Sequence, residues 1–231
     1  MVRRVILLFL AGIFWLAGVG GMYQHIEASS VVHAKSQQKT EETMSYQFPF
    51  AIPGTDLVAL ELRSYSGIYL EEGSQEGVSN VAAIVLCNDG PNLLEHAQVE
   101  LWKGKEKLNF ELSYLPAGEK ILVLESNKHP FTNDLISACS GNETLASREI
   151  PDLIRIQQIG DRIVSIANPG PLPLKKLKVY YKNYDFESAM FLGGIVYEIS
   201  IFSLAPGESF VAQPMYYSSE TSRIVNIKTS G

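Results

Sequence analysis

Two cysteines and four histidines are all that 231 residues offer for thiol or imidazole chemistry. A structural zinc site draws four nitrogen or sulfur ligands from a short list of side chains. Here Cys87, Cys139, His25, His33, His96 and His129 show no ligand spacing. His96, His129, Asp89 and Asp134 can be imagined as a metal or acid–base cluster, but nothing in their spacing fixes one. The chain also lacks an Asp-x-Asp-x-Asp loop, His-Glu-x-x-His and Gly-x-Ser-x-Gly, the arrangements that betray calcium loops, zincins and esterases. Its Gly-Gly pairs have no strand–loop–helix setting to cradle a phosphate. Basic residues are scarce as well. The formal net charge is −6, and no cluster exceeds short pairs such as Lys175-Lys176. Nucleic acid and anionic membrane surfaces therefore have no electrostatic footprint to recognise. No catalytic residue, cofactor or metal is expected, and hydrolysis ranks last among the function classes.

Long apolar runs are missing too, with one exception. After Met1-Val2-Arg3-Arg4, residues 5–21 carry no charge from Val5 to Gly21. An apolar helix of about 17 to 25 residues can span a bilayer, whereas signal-peptide cores are usually about 7 to 15 long. Arg3 and Arg4 keep the N-terminus inside and place the rest outside. No cysteine follows closely, which excludes a lipoprotein anchor. Ala28 and Ala34 each close a small-residue cleavage site, so residues 1–28 read either as a signal anchor or as a cleaved signal peptide. The protein is then single-pass with its C-terminal part extracytoplasmic, or secreted. Residues 29–45 are polar and read as a flexible stalk.

What the remainder does have is a repeat. Val81-Ala-Ala-Ile-Val-Leu86 runs into Asn88-Asp-Gly-Pro91. Eighty residues later, Arg162-Ile-Val-Ser-Ile-Ala167 runs into Asn168-Pro-Gly-Pro171. Leu94, Ala97, Val99 and Leu101 then alternate with polar residues, as do Leu174, Leu177, Val179 and Tyr181; a period of two is the strand signal. Next, Leu108, Phe110, Leu112 and Tyr114 lead to Leu115-Pro-Ala-Gly-Glu119. Tyr197, Ile199, Ile201 and Ser203 lead to Leu204-Ala-Pro-Gly-Glu208 at a spacing of 89. Nine residues are thus inserted between Tyr181 and Tyr197. The same spacing sets Leu135–Cys139 opposite Ile224–Lys228 as the last strands. First strands are expected near Leu57–Arg63 and Leu153–Gln158. Six or seven short strands per unit, with Gly, Pro and Asn turns and no amphipathic helix, predict an all-β protein of two tandem immunoglobulin-like β-sandwiches, 46–148 and 149–231, behind the N-terminal helix.

The second unit reads Asn168-x-Gly-Pro, Leu177-Lys-Val-Tyr-Tyr-Lys-Asn-Tyr-Asp185 and Tyr197-Glu-Ile-Ser-Ile-Phe-Ser-Leu-Ala-Pro-Gly-Glu208. It resembles the bacterial extracytoplasmic immunoglobulin-like modules of the FxLYD and CARDB kind. The first unit follows less well, with Trp102-Lys-Gly in place of Tyr-Asp. The resemblance implies architecture and a cell-envelope location. It carries over no catalytic residue, because fold alone does not imply function.

Cys87 and Cys139 fall in one unit, and outside the cell such a pair invites a disulfide. It would close a loop of about 50 residues and stabilise by roughly 3 to 4 kcal/mol. The alternative is two separate buried thiols. The inserted loop holds Tyr184, Phe186, Phe191 and Leu192, with Gly193-Gly194 as a pivot. It is either a contact surface or a hairpin that fills the gap between sheets. The first unit's apolar insertion, Tyr65–Leu70, poses the same choice. If Leu177, Val179 and Tyr181 point inward, Tyr180 points out; if Ile199 and Ile201 point inward, Phe202 points out. These outward rings bind a partner or pack on the other unit. The expected function is non-catalytic: the units mediate protein–protein interaction, or act as a spacer, in a cell-envelope assembly. The expected partner is an unknown envelope protein. The alternative is carbohydrate or cell-wall binding, with the exposed aromatics on a surface glycan.

Overall fold

A computed structural model describes residues 45–73, 75–146 and 154–229. The predicted N-terminal helix and stalk lie outside them. So does the point where one predicted unit gives way to the next. Among the described residues no helix is long and apolar enough to cross a membrane.

The described residues are all-β, with strands β1 (Phe50–Ala51), β2 (Leu57–Ile68), β3 (Gly77–Asn88), β4 (Leu93–Lys103), β5 (Glu106–Leu115), β6 (Lys120–Leu124), β7 (Ala138–Ala146), β8 (Arg155–Gly160), β9 (Ile163–Ala167), β10 (Leu174–Asp185), β11 (Met190–Leu204), β12 (Ser209–Ala212) and β13 (Ser222–Lys228). They form three sheets. The largest runs β1-β2-β3-β6-β11-β10-β13, and two smaller ones run β5-β4-β7 and β12-β9-β8.

The repeat is visible in these orders. In the first half β6-β3-β2 lie side by side, as β12-β9-β8 do in the second. The first half's β5-β4-β7 answers the second half's β11-β10-β13. Registers agree with the two spacings: Leu101 pairs with Leu108 and Tyr181 with Tyr197, while Leu94 pairs with Leu115 and Leu174 with Leu204. The last strand departs from the expected match. Leu101 faces Cys139 while Tyr181 faces Ile224, so Cys139 answers Ile224 rather than Lys228. Leu135 lies before β7 and is 71% exposed. The connection ahead of this strand simply differs in length between the halves.

Alternation explains how the layers stack. On β3, Ala82, Ile84 and Leu86 face one core, shared with Val99, Leu101, Phe110 and Leu112 of the β5-β4-β7 sheet. Val81, Ala83 and Val85 face the opposite side, where Leu122 of the neighbouring β6 lies beside them and Tyr69 packs against them. A strand buried on both faces reads as an unbroken apolar run, as Val81–Leu86 does. On β10, Leu177, Val179 and Tyr181 face a further core with Val164 and Ile166 of β9 and with Ile199 and Ile201. Tyr180, one position out of phase, joins the first half's core. The seven-stranded sheet is therefore flanked on one face by β5-β4-β7 and on the other by β12-β9-β8, at opposite ends.

The repeated asparagines fasten each half. Asn88 and Asn168 are fully buried. The Asn88 Nδ2 donates to the carbonyls of Asn92 (2.8 Å) and Leu115 (2.9 Å), and its Oδ1 accepts from the Gly90 N–H (3.1 Å). Asn168 repeats the set with Leu172 (2.8 Å), Leu204 (3.0 Å) and Gly170 (3.0 Å). Their main chains bond the Pro-Ala-Gly-Glu and Ala-Pro-Gly-Glu turns: the Asn88 N–H donates to the Glu119 carbonyl and the Asn88 carbonyl accepts from the Gly118 N–H, and Asn168 does the same with Glu208 and Gly207. Both turn glycines have positive φ, +74° and +75°, where a side chain is strained. The two motifs of each repeat are thus the two ends of one hydrogen-bonded corner.

Candidate functional site

The residues with the most unusual surroundings lie where the halves meet. The nine-residue insertion extends the β10–β11 hairpin, so that Asn183 to Asp185 pair with Leu192 to Met190. Its far arm then lies parallel to β6 over only two residue pairs, Phe191 with Ile121 and Leu192 with Leu122. Glycine permits the crossing that follows. A Cβ on Gly193 (φ +79°) would stand 2.8 Å from the Leu70 carbonyl oxygen, and one on Gly194 would stand 1.8 Å from that of Glu111. Gly193-Gly194 is a point of close backbone approach, which its reading as a pivot did not foresee.

Two charged side chains close this seam. Glu71, in the β2–β3 connection, accepts from the backbone N–H groups of Leu124 on β6 (2.7 Å) and Gly194 on β11. Lys182 on β10 is fully buried. Its Nζ donates to the carbonyls of Ser113 on β5 (2.7 Å) and Gly194 (2.9 Å). The Gly194 residue therefore binds the carboxylate through its N–H and the amine through its C=O. Burial pushes the Glu71 carboxyl up to about 7, against the pull of the Leu124, Gly194 and Ile195 N–H groups and the Lys182 charge. Burial also brings Lys182 down to about 7, opposed by Glu71. Desolvation disfavours the charged form of each group, so both move toward neutrality.

A cleft of about 290 Å³ opens beside the pair, lined by Tyr69, Glu71, Glu72, Glu111, Ser113 and Gly194 among others. Tyr69 is buried, and its hydroxyl donates to the carbonyls of Glu125 (3.3 Å) and Ser126 (3.2 Å). Other groups also bind one half to the other. Tyr114 stacks on Tyr180 with ring centroids 4.6 Å apart. Arg223 meets Glu119 at 3.0 Å, and Lys228 meets Glu95 at 2.6 Å.

The aromatic residues singled out from the sequence divide between interior and surface. Tyr180, Tyr184 and Phe191 are buried in the first half's core, and Leu192 packs partly buried on the outer face of β3 and β6. These four are taken up inside the chain, because the insertion folds back as hairpin and sheet. Phe186, at the hairpin tip, is 56% exposed, and Phe202 is 86% exposed. The other insertion also folds back, with Tyr69 and Leu70 covering the outer face of β3.

Cys87 and Cys139 are separate thiols. Cys87 shares the face of Val85, away from the core that Leu86 enters, while Cys139 packs against that core from β7. The sheet lies between them, so the two thiols do not meet in this arrangement. Burial raises both thiols, and Asp89 adds to the effect at Cys87. The two described histidines stand apart: His96 pairs with Glu111 (2.8 Å) and His129 with Glu125 (3.1 Å). Asp134 accepts from the Thr132 hydroxyl instead. Among the described residues no cluster of three His, Cys, Asp or Glu side chains could hold a metal.

Sequence reasoning passed over Glu71, Lys182 and Glu125. Glu125 is fully buried and accepts from the N–H groups of Asn109, Asn127 and His129. One signal was available. Lys182 follows Tyr180 at the strand period, so the outward phase of β10 carries a lysine straight after an aromatic, on the face that the first half covers. No model of a known protein family matches the chain, and no curated protein matches it.

Proposed function

We propose that this is a non-catalytic component of a cell envelope. Residues 5–21 anchor or export it, residues 29–45 lift it from the membrane, and two immunoglobulin-like sandwiches of the FxLYD/CARDB kind bind or space a protein partner outside. Matched strand orders in the two halves support the modular reading. The observation that carries the interaction reading is what remains exposed once the seam is formed. Leu172 (71%), Phe202 (86%), Val211 (57%) and Met215 (79%) are all in the second half and all open to solvent. Scattered apolar residues are ordinary on a surface and a contiguous patch is not. Phe202 and Val211 point away from the shared core on opposite sides, so the reading rests on Phe202, the most exposed of the four. The glycan alternative has less behind it, because the second half's tyrosines mostly stack on one another: Tyr181 on Tyr197 (5.3 Å) and Tyr197 on Tyr216 (5.0 Å).

A photo-crosslinking residue at position 202, introduced into intact cells, tests this. The expected result is one recurring envelope protein captured in mass spectra. Capture of wall fragments alone would move the function to carbohydrate binding, and no capture above that from a control position on β4 would remove Phe202 from any interface.

A further inference from the structure

Glu71 and Lys182 are not needed to explain the fold of either half, yet between them they contact β5, β6 and β11 at the place where the halves join. The ladder they reinforce is only two residue pairs long. Glu71 is partly buried and lines the open cleft, so a proton from solvent can reach it. The groups facing it are Tyr69 and Glu72 on its own connection, Tyr65 on β2, Glu111 on β5, Lys182 on β10 and Tyr197 on β11. Lys182 is the one cation among them.

We propose that the seam between the two halves is a proton-operated clamp, loosest near neutral pH and tightened when Glu71 takes up a proton from the cleft.

The sign follows from linkage. A seam that opens returns both groups to water and to their ordinary ionisation. Glu71 is raised from 4.5 to about 7 when the seam is closed. Its contribution to closure is therefore complete below 4.5 and is lost as pH rises through about 7. Lys182 is lowered from 10.5 to about 7, so its contribution is complete above 10.5 and is lost as pH falls through about 7. Closure thus takes up one proton on the acid side and releases one on the alkaline side, and is weakest between. Ionised Glu71 and charged Lys182 both gain most from leaving the interior at the pH where both bear charge in water. Acidification makes Glu71 a neutral acid, which costs less to keep buried.

Amide hydrogen exchange on the full chain between pH 5 and 9, corrected for intrinsic rates, tests the clamp. The Leu124 and Gly194 amides bonded to Glu71 should be least protected near pH 7, gaining up to about tenfold protection per pH unit on either side. The Asn88 and Asn168 amides, bonded within single halves, should show no such minimum. Glu71→Gln should remove the acid limb and Lys182→Met the alkaline limb. A flat profile at the seam, or the same minimum at the asparagine amides, overturns the proposal. Should either variant fail to fold, carboxyl ¹³C shifts of Glu71 in the unaltered chain decide the matter: a midpoint near 7 is expected, and one near 4.5 refutes the clamp.

Discussion

Replacing Asn88 with alanine should be among the most damaging single changes available to the first half. Its side chain makes three hydrogen bonds from a fully buried position. At about 1 kcal/mol net for each bond, and about 1 more for leaving the Leu115 carbonyl buried without a donor, the loss comes to about 4 kcal/mol. That is a large share of the roughly 5 to 15 kcal/mol that holds a domain together. Asn88→Asp sharpens the test, because it keeps the shape and the Oδ1 acceptor but turns an oxygen toward two carbonyls. At pH 7 it should cost more than alanine. The buried acid's pKa is raised by those carbonyls, so the deficit should shrink as pH falls and the carboxyl regains a proton to donate. Urea unfolding supplies the measurement, through the midpoint at constant slope. Asn168 has the same set of bonds, so Asn168→Ala should cost nearly as much. The shared sheet adds a second readout. With Trp15 changed to Phe, Trp102 on β4 reports the first half alone. If the sheet couples the halves, Asn168→Ala should shift the Trp102 transition together with the far-UV circular dichroism. A cost below about 1 kcal/mol for Asn88→Ala, or Asp tolerated better than Ala at pH 7, would refute the account of the corner.

Gly194→Ala should destabilise by about 3 kcal/mol or prevent folding, since its Cβ would overlap the Glu111 carbonyl. Gly207→Ala should cost only about 1 kcal/mol, because space is open there and only the positive φ objects. Equal costs for the two in urea titrations would contradict the close approach at the seam. Chain unfolded without reductant in an alkylating agent should gain two alkyl groups throughout, as expected of thiols on opposite sides of a sheet. A population that gains none would mean that Cys87 and Cys139 can meet.

Much of the architecture was legible because it is local. The Asn corners, the alternations on β4, β5, β10 and β11, and the nine-residue insertion are patterns within one hairpin or one turn, where side-chain period and backbone bonding fix the outcome. Tyr180 and Phe202 are both out of phase with their neighbours, yet their fates differ. Tyr180 meets Tyr114, while Phe202 lies beyond the reach of the first half. Only the relative placement of the halves decides between them, and no period encodes that. The β6–β11 pairing joins residues about 70 positions apart through two rungs, so its sequence signal is too short to see. Glu71 and Lys182 were hidden for a different reason. A charged residue in a connection or on an outward strand phase reads as solvated, and their burial comes from the seam rather than from their own segments.

The order of the central sheet also bears on mechanics. Strands β1 and β13 occupy its two opposite edges, six inter-strand gaps apart. At about 4.8 Å per gap they stand roughly 29 Å from each other. Whatever precedes β1 and whatever follows β13 leave from opposite borders, so tension between them acts across the strands and not along them. Such a load peels ladders open rung by rung instead of shearing a whole row of bonds at once. The two-rung ladder between β1 and β2 meets that load at the edge, and the equally short one between β6 and β11 is where it would divide the two halves.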